Sequence, residues 1–193
     1  MKTLPPFQIG SVSDPTQVYP PREDTFFLLR HAQKELKPDD IVLEVGTGSG
    51  YIAAHLDGCL YVVATDINPH AAIMAKLNGL NVVRTDIAAG ICRIFTFVLF
   101  NPPYIPTHPE EKCDDWLEYA LDGGFDGREP LRRFLLQIPE VLTPDGRILV
   151  LISSLQDFEK CEELFIKFGY FFQTIGNEIL DDGEELRIYH LQK

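Results

Sequence analysis

The sequence has few cysteines, and none of them are arranged as a metal site or a disulfide framework requires. The four cysteines lie far apart and include no C-x-x-C pair, so the sequence predicts neither a disulfide framework nor a zinc site. The five histidines also lack ligand spacing. We therefore expect no bound metal and a reducing compartment.

Long apolar segments are also missing. No stretch of the 193 residues approaches the length of a transmembrane helix, and residues 1–6 contain no apolar signal-peptide core. We expect a cytoplasmic location and no membrane contact. Because no repeat, low-complexity tract or long linker divides the chain, residues 1–193 are predicted to form a single domain.

Positive charge is scarce as well. The chain has 17 Lys and Arg against 29 Asp and Glu, a formal net charge of −12, and no basic cluster. Nucleic-acid binding draws most of its non-specific affinity from basic side chains that neutralise phosphates. Nucleic acid is therefore disfavoured as a partner, though a local basic patch would override this argument.

Strands and helices alternate along the chain, which predicts an α/β fold. We predict a doubly wound, Rossmann-like, seven-stranded and mostly parallel sheet with helices on both faces, and antiparallel last strands. The predicted strands are 41–43, 60–65, 80–83, 95–100, 146–152, 170–175 and 185–191. The predicted helices are 22–36, 50–57, 69–78, 110–120, 130–142 and 157–168.

A glycine-rich loop, Gly46-Thr47-Gly48-Ser49-Gly50, follows the first predicted strand. Glycine lets a ligand approach the backbone, and the next helix offers N–H groups to an anion. The loop lacks the Gly-Lys-Ser/Thr ending of a loop that binds nucleoside triphosphates. It also lacks the G-x-G-x-x-G spacing of a dinucleotide-binding fold. A plain tight turn is the alternative.

Acidic residues stand at the ends of three successive strands. They are Glu44, Asp66 and Asp86. A carboxylate at Asp66 can accept hydrogen bonds from ribose hydroxyls, and Asp86 suits an adenine amino group. Together they favour a nucleoside cofactor without a polyphosphate, such as S-adenosylmethionine. The alternatives are that Asp66 is an ordinary strand-end residue that caps the next helix, and that Asp86 lies in a surface turn.

The tetrapeptide Asn101-Pro102-Pro103-Tyr104 closes the apolar run 95–100. The Asn101 side-chain oxygen and the Pro102 carbonyl can each accept one N–H of a planar –NH2 group, while Tyr104 stacks on it. Both residues that precede a proline are conformationally restricted. The pattern favours methyl transfer to an amide or amino nitrogen by positioning. The alternative is that Asn-Pro-Pro only interrupts regular structure and that Tyr104 packs on the core.

These motifs resemble class I S-adenosylmethionine-dependent methyltransferases, and among them the HemK-type glutamine-N5 methyltransferases of release factors. The segments that match are Tyr19–Phe26, Leu43–Gly50, Thr65–Pro69 and Asn101–Tyr104. The resemblance implies three sets of site residues. The cofactor contacts are Thr25, Glu44, Gly46, Gly48, Asp66, Ile67, Asp86, Ile87 and Asn101. The catalytic residues are Asn101, Pro102 and Tyr104, and the substrate contacts are Asn101, Pro102, Pro103 and Tyr104.

The segments Gly123–Glu129 and Arg132–Phe134 are similar to the eukaryotic and archaeal branch of that family. This branch lacks the bacterial N-terminal helical domain and works with a small zinc-binding activator. The resemblance implies a translation release factor as substrate, methylated on the glutamine of its Gly-Gly-Gln motif. It also implies an activator at the edge strand Leu80–Val83.

Parts of the pattern also fit other functions. Adenine-N6 or other nucleic-acid methylation would use the same tetrapeptide, but the chain shows no region that flips and reads a base. Methylation of protein lysine is a further alternative. A non-catalytic binding module and an NAD-dependent oxidoreductase are disfavoured by the complete tetrapeptide and by the glycine spacing, respectively.

Overall fold

The computed structural model describes residues 13–108, 110 and 115–193. The helices are α1 (Glu23–Glu35), α2 (Tyr51–Ala54), α3 (Pro69–Leu77), α4 (Trp116–Tyr119), α5 (Glu129–Gln137) and α6 (Phe158–Lys167). The strands are β1 (Ile41–Val45), β2 (Tyr61–Asp66), β3 (Val82–Arg84), β4 (Phe95–Phe100), β5 (Leu142–Ser153), β6 (Phe171–Ile179) and β7 (Glu185–Gln192).

Among the described residues, seven strands form one sheet in the order β3-β2-β1-β4-β5-β7-β6. The first five strands pair in parallel, whereas β7 runs antiparallel to both β5 and β6. The predicted fold, including the antiparallel last strands and the edge position of β3, is confirmed. The chain reverses its winding direction between β1 and β4, and open α/β sheets bind ligands at such a point.

The central strands are buried on both faces because helices cover both sides of the sheet. Val98 and Phe100 of β4 pack on one side against Phe134 of α5. Phe97 and Leu99 of the same strand pack on the other side among residues that include α1. Alternate residues of one strand therefore serve two cores, and the run reads as continuously apolar in the sequence.

The helix predicted over residues 130–142 is too long. Helix α5 ends at Gln137, a 3₁₀ turn spans Ile138–Glu140, and β5 already begins at Leu142. Pro139 cannot donate the N–H that a continuing helix needs. Leu142 instead pairs with Phe95 of β4. Sheet pairing therefore overrides helical propensity at this boundary.

Two other predicted helices are shorter than expected. Helix α2 is a single turn of 4 residues instead of a helix through Asp57, so it offers little dipole to an anion. In the region predicted as a helix over 110–120, the structure describes helix α4 of 4 residues, and residues 111–114 lie outside the described part. Within the described ranges, no helix is long and apolar enough to span a membrane.

Candidate active site

The carboxyl ends of neighbouring strands open into one large cavity. Val45 at the end of β1 lies beside Thr65 of β2 and Phe100 of β4. The cavity has a volume of about 940 Å³, near the upper end of the usual range for ligand pockets. It has room for a nucleoside cofactor together with a substrate side chain.

Every residue that the sequence predicts for the site lines this cavity. These residues are Thr25, Glu44, Gly46, Gly48, Asp66, Ile67, Asp86, Ile87, Asn101, Pro102, Pro103 and Tyr104. They come from α1, from the ends of β1, β2 and β4, and from the segment after β3. The fold therefore brings together residues that span nearly 80 positions of the sequence, from 25 to 104.

The glycine loop turns sharply between β1 and α2. Gly46, Gly48 and Gly50 have φ values of 68°, 55° and 84°, in the left-handed region that favours glycine. A Cβ at Gly50 would also lie 2.6 Å from Cδ1 of Leu80. Backbone conformation therefore favours glycine at all three positions, and lack of space requires it at Gly50 as well.

Glu44 is a buried carboxyl at the floor of the cavity, with 4% of its surface exposed. Its Oε2 atom accepts hydrogen bonds from Thr47 Oγ1 at 2.6 Å and from the Ala53 N–H at 3.0 Å. Burial raises the pKa of Glu44 to about 8, although these hydrogen bonds favour the ionised form. Among the described residues no cation pairs with it.

Asp66 at the end of β2 connects the glycine loop to the next turn. Its Oδ2 atom accepts a hydrogen bond from the Gly48 N–H, and its Oδ1 atom accepts one from the Asn68 N–H, both at 2.8 Å. Burial raises the pKa of Asp66 to about 6. A carboxylate oxygen can accept more than one hydrogen bond, so ribose hydroxyls still find acceptors here.

Asp86 and Ile87 follow β3. Asp86 forms an ion pair with Arg133 of α5, and both side chains are partly exposed at 41% and 43%. Ile87 has a φ of 56°, an unusual value for a β-branched residue. The Thr65 hydroxyl donates a hydrogen bond to the Ile87 carbonyl at 2.7 Å and holds this conformation.

Only the nitrogen of the Asn101 side-chain amide has a hydrogen-bond partner among the described residues. Its Nδ2 atom donates a hydrogen bond to Oδ2 of Asp24 at 3.0 Å. Its Oδ1 atom is buried and has no hydrogen-bond partner among the described residues. A buried acceptor without a donor is costly, so this atom is suited to accept a hydrogen bond from a ligand.

Tyr104 lines the cavity and packs on the core with α1. Burial raises the pKa of its phenol well above the ordinary value, and the nearby carboxyls of Asp24 and Glu184 add to this. The phenol therefore stays neutral. A glycine-rich turn packs closely on the backbone of Tyr104: a Cβ at Gly127 would lie 2.6 Å from its carbonyl oxygen.

Sequence reasoning did not assign roles to three residues at the site. Asp24 contacts Asn101, Thr65 holds Ile87, and Arg133 pairs with Asp86. Asp24 stands next to the predicted contact Thr25 in the segment 19–26 that carries the resemblance. Its partner Asn101 is 77 residues away, and no local pattern indicates that contact.

Comparison with known proteins assigns the chain to a family. No family model matches, but individual proteins do. A Methanocaldococcus jannaschii protein, whose name assigns it provisionally to the protein N5-glutamine methyltransferases, is 40% identical over 145 residues, which is 72% of this chain and 74% of that protein. The human methyltransferase HEMK2 is 39% identical over 154 residues, 71% of each chain.

A solved structure gives the same result. The chain resembles a protein of the E. cuniculi Mtq2-Trm112 complex, with a TM-score of 0.76 and 27% identity, and that complex is responsible for the methylation of the translation termination factor eRF1. The match covers 92% of this chain and 99% of that one. The similarities in sequence and in structure thus agree with the motifs that line the cavity. This chain belongs to the HemK-type protein N5-glutamine methyltransferases.

Proposed function

We propose that this chain transfers a methyl group from S-adenosylmethionine to the side-chain amide of the glutamine in the Gly-Gly-Gln motif of a translation release factor. The observation that carries the proposal is the buried, unpartnered Oδ1 atom of Asn101, in the wall of a cavity that also contains the glycine loop. A translation factor as substrate implies action in the cytoplasm.

The residues at the strand ends fit an adenosyl cofactor. Asp66 has free acceptor capacity for ribose hydroxyls. Asp86 can accept from an adenine amino group, because its partly exposed ion pair with Arg133 is worth about 1 kcal/mol or less. The backbone of Gly46 and Gly48 permits close approach. We assign the remaining contacts to Thr25, Glu44, Ile67, Ile87 and Asn101.

When bound, S-adenosylmethionine would supply a methyl group whose bonding electrons stay with the sulfur; the amide nitrogen would provide the electron pair for the new bond, and one of its protons would pass to bulk solvent after methyl transfer. That nitrogen is a weak nucleophile because its lone pair is delocalised. Asn101 Oδ1 and the Pro102 carbonyl accept its two N–H groups and fix its direction. Pro103 keeps this backbone rigid, and the neutral ring of Tyr104 covers the planar amide and excludes water. Positioning of this kind supplies much of the rate enhancement.

The edge of the sheet at β3 is the proposed docking surface for a small activator subunit. It exposes apolar side chains, with Leu60 67%, Tyr61 48%, Leu77 75% and Val83 41% exposed. Of the predicted edge residues Leu80–Val83, Val83 is exposed and Leu80 turns toward the glycine loop. The E. cuniculi relative is a complex with Trm112, which supports an activator here. The zinc in that activator is implied by the resemblance.

Methylation of an adenine amino group is the second candidate, since the same tetrapeptide grips it. The net charge of −12 disfavours this substrate.

Incubation with labelled S-adenosylmethionine, with and without a Trm112-type subunit, should label a purified release factor and leave DNA and tRNA unlabelled. A release factor with Gly-Gly-Ala in place of Gly-Gly-Gln is the matched control and should stay unlabelled. Label in DNA or tRNA alone would refute the proposal.

A further inference from the structure

Asp24 on α1 is the buried partner of the catalytic amide. The residue is 4% exposed. Its Oδ2 atom accepts the hydrogen bond from Asn101 Nδ2 at 3.0 Å. Its other oxygen, Oδ1, accepts from the Thr25 N–H at 2.6 Å and from the Thr25 hydroxyl at 3.2 Å. One carboxylate oxygen therefore binds Asn101, and the other binds Thr25.

The contact fixes which end of the Asn101 amide is available to a ligand. A carboxylate only accepts hydrogen bonds, so it binds the NH2 end of an amide and repels the carbonyl end. A rotation of Asn101 by half a turn would set two oxygens against each other and place NH2 where the free acceptor now lies. That orientation would repel the N–H groups of a substrate amide.

Helix capping alone does not account for this arrangement. An acid in the first turn of a helix interacts favourably with the dipole even when it is exposed, as its neighbour Glu23 is. Asp24 is buried instead, which carries a desolvation cost that specific partners must offset. The partner from outside its own helix is Asn101 of the tetrapeptide.

We propose that Asp24 is a positioning residue that holds the Asn101 amide with its oxygen free for the N–H of the substrate. The substrate part of this inference rests on the proposed function, but the orientation does not. The conservative variant Asp24→Asn tests it. The new side chain can still accept from Thr25, but its NH2 now faces Asn101 and favours the rotated orientation.

The first readout is a double-mutant cycle on methyl transfer. Asp24→Asn should lower kcat about 10²-fold, with the cofactor Kd from calorimetry changed less than about threefold. The double variant Asp24→Asn/Asn101→Ala should be no slower than Asn101→Ala, because Asp24 acts through Asn101. Losses that multiply, or an Asp24→Asn enzyme with normal kcat, would overturn the proposal.

The second readout needs no activity and so separates this inference from the proposed function. The side-chain NH2 signal of Asn101 in a ¹⁵N NMR spectrum, assigned by its loss in Asn101→Ala, should show slow proton exchange in the parent protein. In Asp24→Asn the exchange should be at least about tenfold faster. Glu23→Gln removes the same charge one residue away and should change nothing. Equal exchange in the parent and Asp24→Asn would refute the orientation, whatever the substrate is.

Should Asp24→Asn unfold, Asp24→Ser provides the same test. A serine hydroxyl can still accept at the helix start, but it is too short to reach Asn101 as the carboxylate does. The same loss of kcat and the same faster exchange are expected. Slow exchange of the Asn101 NH2 in that variant would also contradict the proposal.

Discussion

Buried acidic residues lie at both ends of the parallel strands, but their pKa values are shifted in opposite directions at the two ends. Asp40, just before β1, receives Arg147 on both oxygens at 2.8 and 2.6 Å. Glu44 and Asp66, at the carboxyl ends, pair with no cation among the described residues. Burial works against ionisation of Asp40, yet hydrogen bonds from Arg147, the Lys37 N–H and Thr96 outweigh it and lower its pKa. The pKa values of the other two acids are raised.

This contrast separates an acid that stabilises the fold from acids that are kept for a ligand. The interactions of Asp40 are complete within the chain, so a ligand could add nothing. Glu44 and Asp66 accept hydrogen bonds but have no cationic partner among the described residues. A cationic or hydroxyl-rich ligand would stabilise their ionised forms. Perturbed acids in a cavity are candidates for function for this reason. Four variants test whether the two ends of the strands have these different roles.

The largest effect is expected from Arg147→Met at the amino end. Removal of one partner leaves a buried, unpaired carboxylate at Asp40, which costs about 3–5 kcal/mol of unfolding free energy. Chemical denaturation measures this loss. The control Arg30→Met breaks an exposed pair with Glu178 and should cost less than about 1 kcal/mol. Turnover per folded Arg147→Met molecule should stay normal, and a loss of turnover without a loss of stability would contradict the separation.

At the carboxyl end, Asn101→Ala should have the opposite profile. It removes the free acceptor, so kcat for methyl transfer should fall at least about 10²-fold, equivalent to about 2.7 kcal/mol. The cofactor Kd from calorimetry should rise much less than kcat falls, because Asn101 is one of nine proposed cofactor contacts. Loss of the hydrogen bond to buried Asp24 should cost about 1–3 kcal/mol of unfolding free energy, less than in Arg147→Met. Near-normal turnover in this variant would rule out the proposed grip on the substrate amide.

The next smaller effect concerns the turn that packs on the backbone of Tyr104. Gly127→Ala places a Cβ 2.6 Å from the Tyr104 carbonyl at a φ of +73°. Gly169→Ala is the matched control, because it has a φ of +79° with nothing within 4 Å. Both should lose about 1 kcal/mol of stability through backbone strain, and Gly127→Ala should lose more because its Cβ would meet backbone. Turnover should fall about tenfold in Gly127→Ala alone, and equal turnover in the two would show that the turn does not position Tyr104.

The smallest effect is a pH dependence at Glu44. Its pKa is near 4.5 when unfolded and about 8 when folded, so the unfolded chain loses its proton first. The contribution of this group to stability is therefore present at low pH and is lost as pH rises through this range. Glu44→Gln keeps an acceptor for Thr47 and Ala53. Denaturation curves at about pH 5 and about pH 9 should show Glu44→Gln gaining at least about 1 kcal/mol over the parent at the higher pH. A constant difference would contradict the raised pKa.

Much of this architecture is predictable from the sequence, and the exceptions have physical causes. Local patterns suffice for the presence of each strand and for the glycine loop, because apolar runs and glycine placement are local. They miss some bounds, since the strand predicted over 80–83 is Val82–Arg84. The end of α5 and the start of β5 depend on pairing between Leu142 and Phe95, which no local pattern contains. The same holds for Asp24, whose role follows from a contact across the fold.

The most direct test of the account is the site of methylation on a release factor. Purified factor should be incubated with the chain, a Trm112-type subunit and S-adenosylmethionine, and its peptides mapped by tandem mass spectrometry. We predict the mass of one added methyl group on the glutamine of Gly-Gly-Gln, absent when Asn101→Ala replaces the parent chain. An unmodified glutamine, or a methyl group placed elsewhere and still added by Asn101→Ala, would contradict the account.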